Sequence, residues 1–163
     1  MRLIFLIVVY FYGLDIALAN CQKKASPSSQ FILKDGEAFD RVANLTWSRC
    51  SVGSTWDNGR CNGVATQMSF NEAKEHAQKQ GNGWRIPTIL ELYSLIENTC
   101  TAPTINSVVF PDIKDWAEGA PYWSNTYIKE MPSLIYYIDF QNGHVDGHTE
   151  NFFMAVRLVH SGK

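Results

Sequence analysis

The side chains able to do chemistry fall into four sets: cysteines, a histidine–aspartate string, three separated charges, and aromatics in polar surroundings. The cysteines are Cys21, Cys50, Cys61 and Cys100. An even count suits disulfides, and four allow three connectivities. Cys50 and Cys61 bracket Ser51 to Arg60, a Gly-, Asn- and Asp-containing stretch able to turn back on itself, which leaves Cys21 with Cys100. The chain-entropy model gives about 3 kcal/mol for closing the short loop and about 4.5 kcal/mol for the long one. A zinc site would call for C-x-x-C pairs, and the sequence has none.

His144, Asp146 and His148 form an H-x-D-x-H string with metal-ligand chemistry. On an extended strand the three share one face, with the outer two roughly 13 Å apart at about 3.3 Å per residue, too far for one ion. Only a sharp bend at Gly147 would gather them, so the string is expected to be a solvated hairpin edge. No metal or cofactor is assigned. Arg85, Glu91 and Arg157 read either as an anion- or sugar-binding cluster or as structural ion pairs. The structural reading is preferred, because Arg85 lies between Trp84 and Ile86 and a buried charge needs partners, here Glu91, backbone carbonyls and Asp139. Trp116 stands among Asp112, Lys114, Asp115 and Glu118. An indole there could stack on a sugar ring or anchor a protein, or fold back to cap a sheet. Asn125 and Tyr127 are weaker candidates for the same ligand. Trp47, Trp84, Trp123, Phe140 and Phe153 are expected in the core.

These residues need a scaffold, and the chain begins with a segment that is not part of it. Met1-Arg2, an apolar run from Leu3 to Leu14 and Ala17-Leu18-Ala19 have the pattern of a cleavable signal peptide over residues 1–19. The run is shorter than the roughly 20 residues a spanning helix needs. Leu18-Ala19-Asn20-Cys21 also resembles a lipoprotein site, with Asn20 where Gly, Ala or Ser is usual, so lipidation of Cys21 is the alternative. Export to the periplasm, the cell surface or the medium is the expectation. Removing the leader deletes Arg2 and Asp15, so the net charge stays at −2. That balance gives no electrostatic footprint for nucleic acid. About 144 residues remain, enough to bury close to two-thirds of their unfolded surface around one core.

Residues 20–30 read as a polar tether, and residues 31–163 as one domain. Phe31-Ile32-Leu33 starts it, Asp35-Gly36 marks a turn, and Leu45-Thr46-Trp47 is a strand. Ser69 with Glu72 and Thr88 with Glu91 are two capping boxes. The first opens a helix ending at Gly81; the second opens one with Ile89, Leu92, Tyr93 and Ile96 on one face. Strands are expected at 122–127, 134–140 and 152–159, and Asn142-Gly143 is the strongest signal for a type I′ hairpin. Between helices and strands runs a long connection from Thr99 to Pro121, containing Pro103, Pro111 and Trp116. Loops of that length in small domains are often functional. The fold class is therefore α+β, two short helices packed on a small antiparallel sheet with long irregular loops.

Specific residues go further. Leu45-Thr46-Trp47-Ser48-Arg49-Cys50, Thr55-Trp56-Asp57, Cys61-Asn62-Gly63 and Gly83-Trp84-Arg85-Ile86-Pro87-Thr88 resemble the Lcl C-terminal domain family, also called DUF1566. Ile105-Asn106, Phe110-Pro111, Tyr122-Trp123-Ser124-Asn125 and Ala155-Val156-Arg157-Leu158-Val159 follow in family order. The resemblance implies a C-type-lectin-like fold in exported bacterial proteins, and a named member that is a collagen-like adhesin binding sulfated glycans. This chain has no Gly-x-y stretch and no basic excess, so the ligand does not transfer with the fold. Calcium-dependent lectins use carboxylate and amide ligands near a Trp-Asn-Asp string; here Trp123-Ser124-Asn125 stands without a preceding Glu-Pro-Asn or Gln-Pro-Asp. Formylglycine-generating enzymes share the superfamily but need a C-terminal cysteine pair, and the last cysteine here is Cys100. The sequence contains no G-x-S-x-G, H-E-x-x-H or phosphate-cradling glycine loop. The expectation is a non-catalytic adhesion or binding module for a glycan or surface protein. A structural or accessory subunit of an envelope assembly is the alternative.

Overall fold

Two-residue turns start the fold. Asp35-Gly36 joins β1 (Phe31–Lys34) to β2 (Glu37–Asp40), with Asp35 at φ 49°. Aspartate tolerates that left-handed geometry better than most residues. β2 pairs with β3 (Leu45–Ser48), and β3 with the last strand, β9 (Val159–Ser161), giving a four-stranded antiparallel sheet in the order β1-β2-β3-β9. The structure, a computed structural model, describes residues 29–97 and 102–162. The leader, most of the tether, and both members of the proposed Cys21–Cys100 bond lie outside the described residues.

β4 (Ser54–Asp57) and β5 (Arg60–Gly63) form a separate hairpin. Its turn is Asn58-Gly59, with φ 49° and 83°, the doubly positive geometry of a type I′ turn. Asn142-Gly143 does not behave this way. β7 (Met131–Asp139) and β8 (Val145–Thr149) meet at Ile138↔Val145, so the connection is longer than two residues and only Gly143 has positive φ. Asp139 has captured that turn instead. Its Oδ1 accepts the Gln141 N–H at 2.8 Å and its Oδ2 accepts Asn142 Nδ2 at 2.8 Å. β6 (Pro121–Ile128) completes a three-stranded sheet, β6-β7-β8.

The capping boxes set both helices. α1 (Phe70–Gln80) starts at Ser69, ends at Gly81, and buries Phe70, Ala73 and Ala77. α2 (Ile89–Tyr93) starts at Thr88 but stops after five residues. Beyond it Leu95 is buried, Ile96 bridges to Ile105, and Tyr93 is exposed rather than on the apolar face. The expected strand 152–159 is also different. Met154 bridges to Met68, Ala155 to Tyr122, Val156 O accepts from Val52, and Leu158 O accepts from Ser48. Residues 154–159 are buried throughout and lie between the sheets as one extended core segment. Only Val159 onward joins a ladder.

Alternation along β6 divides the core. Tyr122 points into one cluster with Trp47, Phe110, Ile138 and Phe140, whereas Trp123 points into another with Phe70, Ile135, Met154 and Val156. The Trp123 indole N–H donates to Met68 O at 2.9 Å. No helix among the described residues is long and apolar enough to cross a membrane.

Candidate functional site

The long connection before β6 is held by its own side chains. Asn106 Oδ1 accepts the N–H groups of Val108 and Val109, and Asn106 Nδ2 donates to Glu97. Phe110 then enters the core, edge-on to Trp47 and Phe31. Asp112 meets Arg157 at 2.6 Å. Arg157 is completely buried, and its guanidinium also donates to Ser48 O, Arg49 O and Ser51 Oγ while lying over the Phe110 ring. Burial opposes the charge on Arg157, but Asp112 outweighs it and the guanidinium pKa is raised. Burial likewise pushes the Asp112 carboxyl upward. Arg157, with the Ser51 N–H and the Ser54 hydroxyl, more than offsets it and holds the carboxyl below its ordinary range.

Arg157 therefore belongs to a different pair from Arg85. Arg85 grips Glu91 through two hydrogen bonds, at 2.8 and 2.6 Å, and also donates to Ile86 O. The expected Arg85–Asp139 contact does not form, because Asp139 serves the β7–β8 turn and the Ala120 N–H. The hydrogen bond from Arg85 to Glu91 raises the arginine pKa. For Glu91, burial pushes upward but Arg85 and the Thr88 N–H prevail, and the carboxyl is depressed.

Past Asp112 the chain tightens again. Asp115 Oδ1 accepts from the Ala117 and Gly119 N–H groups, and Ala117 takes φ 73°. Gly119, at φ 115°, sits so close to the Asp139 carboxylate that a Cβ there would collide with it. This turn presents Trp116, half-buried with its inner edge against the core. Its outer face borders a cavity of about 370 Å³ lined also by Gln67, Glu118, Tyr137, Asp139, His148, Phe152 and Phe153. Phe152 is 41% and Phe153 55% exposed, which corrects the expected core position of Phe153. The Tyr137 phenol is raised by burial first, then by the negative charges of Asp146 and Asp139.

The other ligand candidates are elsewhere. Asn125 is exposed and borders a shallower depression with Trp84, Arg85 and Lys74. Tyr127 is exposed and meets the Phe70 ring edge-on. Ser124 is buried, donating to Tyr136 O. His144, Asp146 and His148 do not converge; His148 stacks on Phe152 with ring centroids 3.9 Å apart. Among the described residues, metal-ligand types gather in a group of three only at Cys50, Cys61 and Asp112, and those two sulfurs are joined in a disulfide. Trp84 is half-buried, packed at the margin of the second core cluster with His160 edge-on to its ring. Sequence reasoning missed Gln67 and Phe152; it met Tyr137 only as a weaker candidate in the Tyr136-Tyr137 pair, His148 only as a metal-ligand type and Glu118 only as a neighbour of Trp116. The adjacent Phe152-Phe153 pair following polar Glu150-Asn151 was the available signal.

Sheets, helices and cavity together define a disulfide-clasped α+β domain whose longest loop walls an aromatic surface site. The chain belongs to the Lcl C-terminal domain family, whose model matches residues 36–160. No curated protein matches the chain.

Proposed function

We propose that this domain is a non-catalytic, lectin-like binding module that acts outside the cytoplasm and takes a glycan in the cavity bordered by Trp116. The observation that carries the reading is the pairing of a half-buried indole and two exposed phenyl rings with carboxylates in one concavity. Sugar rings present C–H faces that pack on aromatic surfaces, and hydroxyls that donate to carboxylate oxygens. A cavity near 370 Å³ is at the lower end of the range for small-ligand sites, and suits one or two sugar rings. Trp116 is backed by the core and its backbone N–H donates to Gly119 O at 2.9 Å, so little freedom is lost on binding. Export is supported by the leader pattern and by the Cys50–Cys61 bond, since such bonds persist in oxidising compartments.

Glycan-array binding that disappears in Trp116→Ala, with thermal unfolding still cooperative, is the expected result. A blank array together with a protein that co-purifies stoichiometrically would overturn the glycan reading in favour of an accessory subunit of an envelope assembly.

A further inference from the structure

We infer that the cavity beside Trp116 selects a glycan carrying a free, protonated amine over its neutral or sulfated counterparts; this rests on the glycan reading above. The charges that line the cavity have one sign. Glu118 is exposed at the rim and Asp139 lies buried on the inner wall, and neither lysine nor arginine contributes to the lining. His148, the one basic side chain there, accepts the Thr149 N–H at Nδ1 at 2.9 Å and stacks on Phe152. Lys114 lies over the Trp116 ring, 5.9 Å from its centroid, but does not line the cavity.

Aromatic faces carry negative quadrupole density and attract ammonium groups, and the attraction strengthens where water is excluded. Trp116, Phe152 and Phe153 supply such faces, and Glu118 supplies a full charge beside them. Asp139 adds to the negative potential without having to move, because Ala120, Gln141 and Asn142 already orient it. A sulfated sugar would place like charge against both carboxylates with no lysine or arginine in the lining to meet it. A neutral sugar would gain the stacking but not the charge. An amine-bearing ring gains both.

The test is calorimetric titration of the full chain with three probes of matched length: a β-1,4-linked glucosamine tetramer, its fully N-acetylated form, and a heparin tetrasaccharide. The free-amine oligomer should bind at least roughly fivefold tighter than the acetylated one, with the sulfated one weakest. Added salt should erase the difference between the first two, because exposed charges are screened beyond about 10 Å at 0.1 M. Glu118→Gln should remove the amine preference, and Glu118→Lys should invert it toward the sulfated probe. Both variants should keep the parent melting temperature, since Glu118 is a surface residue. Equal affinity for the amine and acetylated oligomers, or preference for the sulfated one, overturns this inference. If Trp116→Ala still abolishes that binding, the glycan reading survives. Failure of all three probes together with a blank glycan array overturns both.

Discussion

Asp112 and Glu118 belong to the same short stretch of chain and carry the same charge, yet they are placed in opposite ways. Asp112 is almost sealed, its two oxygens shared among Arg157, Ser51 and Ser54. Glu118 stands at the rim of an aromatic cavity, exposed to solvent. The first part of the loop is fastened by a charge that meets little water. The second end uses the rigidity so obtained to hold Trp116 against open space. Stability and recognition are thus separated along one segment, and substitutions should separate them too.

The largest effect is expected where the loop is fastened. Asp112→Ala leaves Arg157 buried without its counter-charge and should cost about 3–5 kcal/mol, read from urea unfolding. The same pair gives a pH signature. Because the folded Asp112 carboxyl is held below its ordinary value, its contribution is complete above the unfolded value near 3.8 and is lost as pH falls through the lower folded value. The parent should therefore lose stability below about pH 4. Its urea midpoint should fall more steeply there than that of Asp112→Ala; parallel acid limbs would sink the assignment.

Replacing Cys50 and Cys61 by serine should cost about 2–3 kcal/mol, since the bond closes a loop of sequence separation 11. A reduced protein with an unchanged melting temperature would refute that staple. Gly119→Ala forces a side chain into φ 115° and into Asp139, and about 1–3 kcal/mol is expected, with ligand affinity falling alongside. Trp116→Ala should cost about 1–2 kcal/mol of stability but all measurable glycan binding. If instead stability collapsed and binding tracked it, the contrast between the two ends would be lost. Tyr127→Ala and Asn125→Ala, remote from the cavity, should change binding less than twofold and stability by less than about 1 kcal/mol.

Local signals were legible where a few neighbouring residues decide the outcome. Ser69–Glu72 and Thr88–Glu91 cap their helices as written, because a capping box is satisfied within one turn. Trp47, Trp123 and Phe140 are buried as their strand positions suggest. Errors came where a second interaction competes with the simple pattern. Asn142-Gly143 has ideal hairpin chemistry, but Asp139 takes the Gln141 backbone N–H and reorganises it, whereas at the equally good Asn58-Gly59 the neighbouring Asp57 receives the side-chain amides of Asn58 and Asn62 and the two-residue hairpin closes. The 152–159 stretch has strand composition, but its partners are drawn from several separate places, so no ladder runs its length. The site was half readable. Trp116 stood out as an indole among charges, but Phe152 and Phe153 could be joined to it only by knowing how the sheets stack. Arg157 was read as an ion-pair residue, and its partner Asp112, 45 positions away, had no sequence mark.

Asp139 ties together parts that are far apart in the chain. One carboxylate receives the backbone at Ala120, where the loop enters β6, and also the Gln141 N–H and the Asn142 side-chain amide in the turn from β7 to β8. The lip of the cavity and the floor of the adjoining hairpin consequently cannot shift independently. Pressure on one is transmitted to the other through a single anchored group. A guest settling against Trp116 should slow backbone amide exchange at Gln141 and Gly143, on the far side of that anchor.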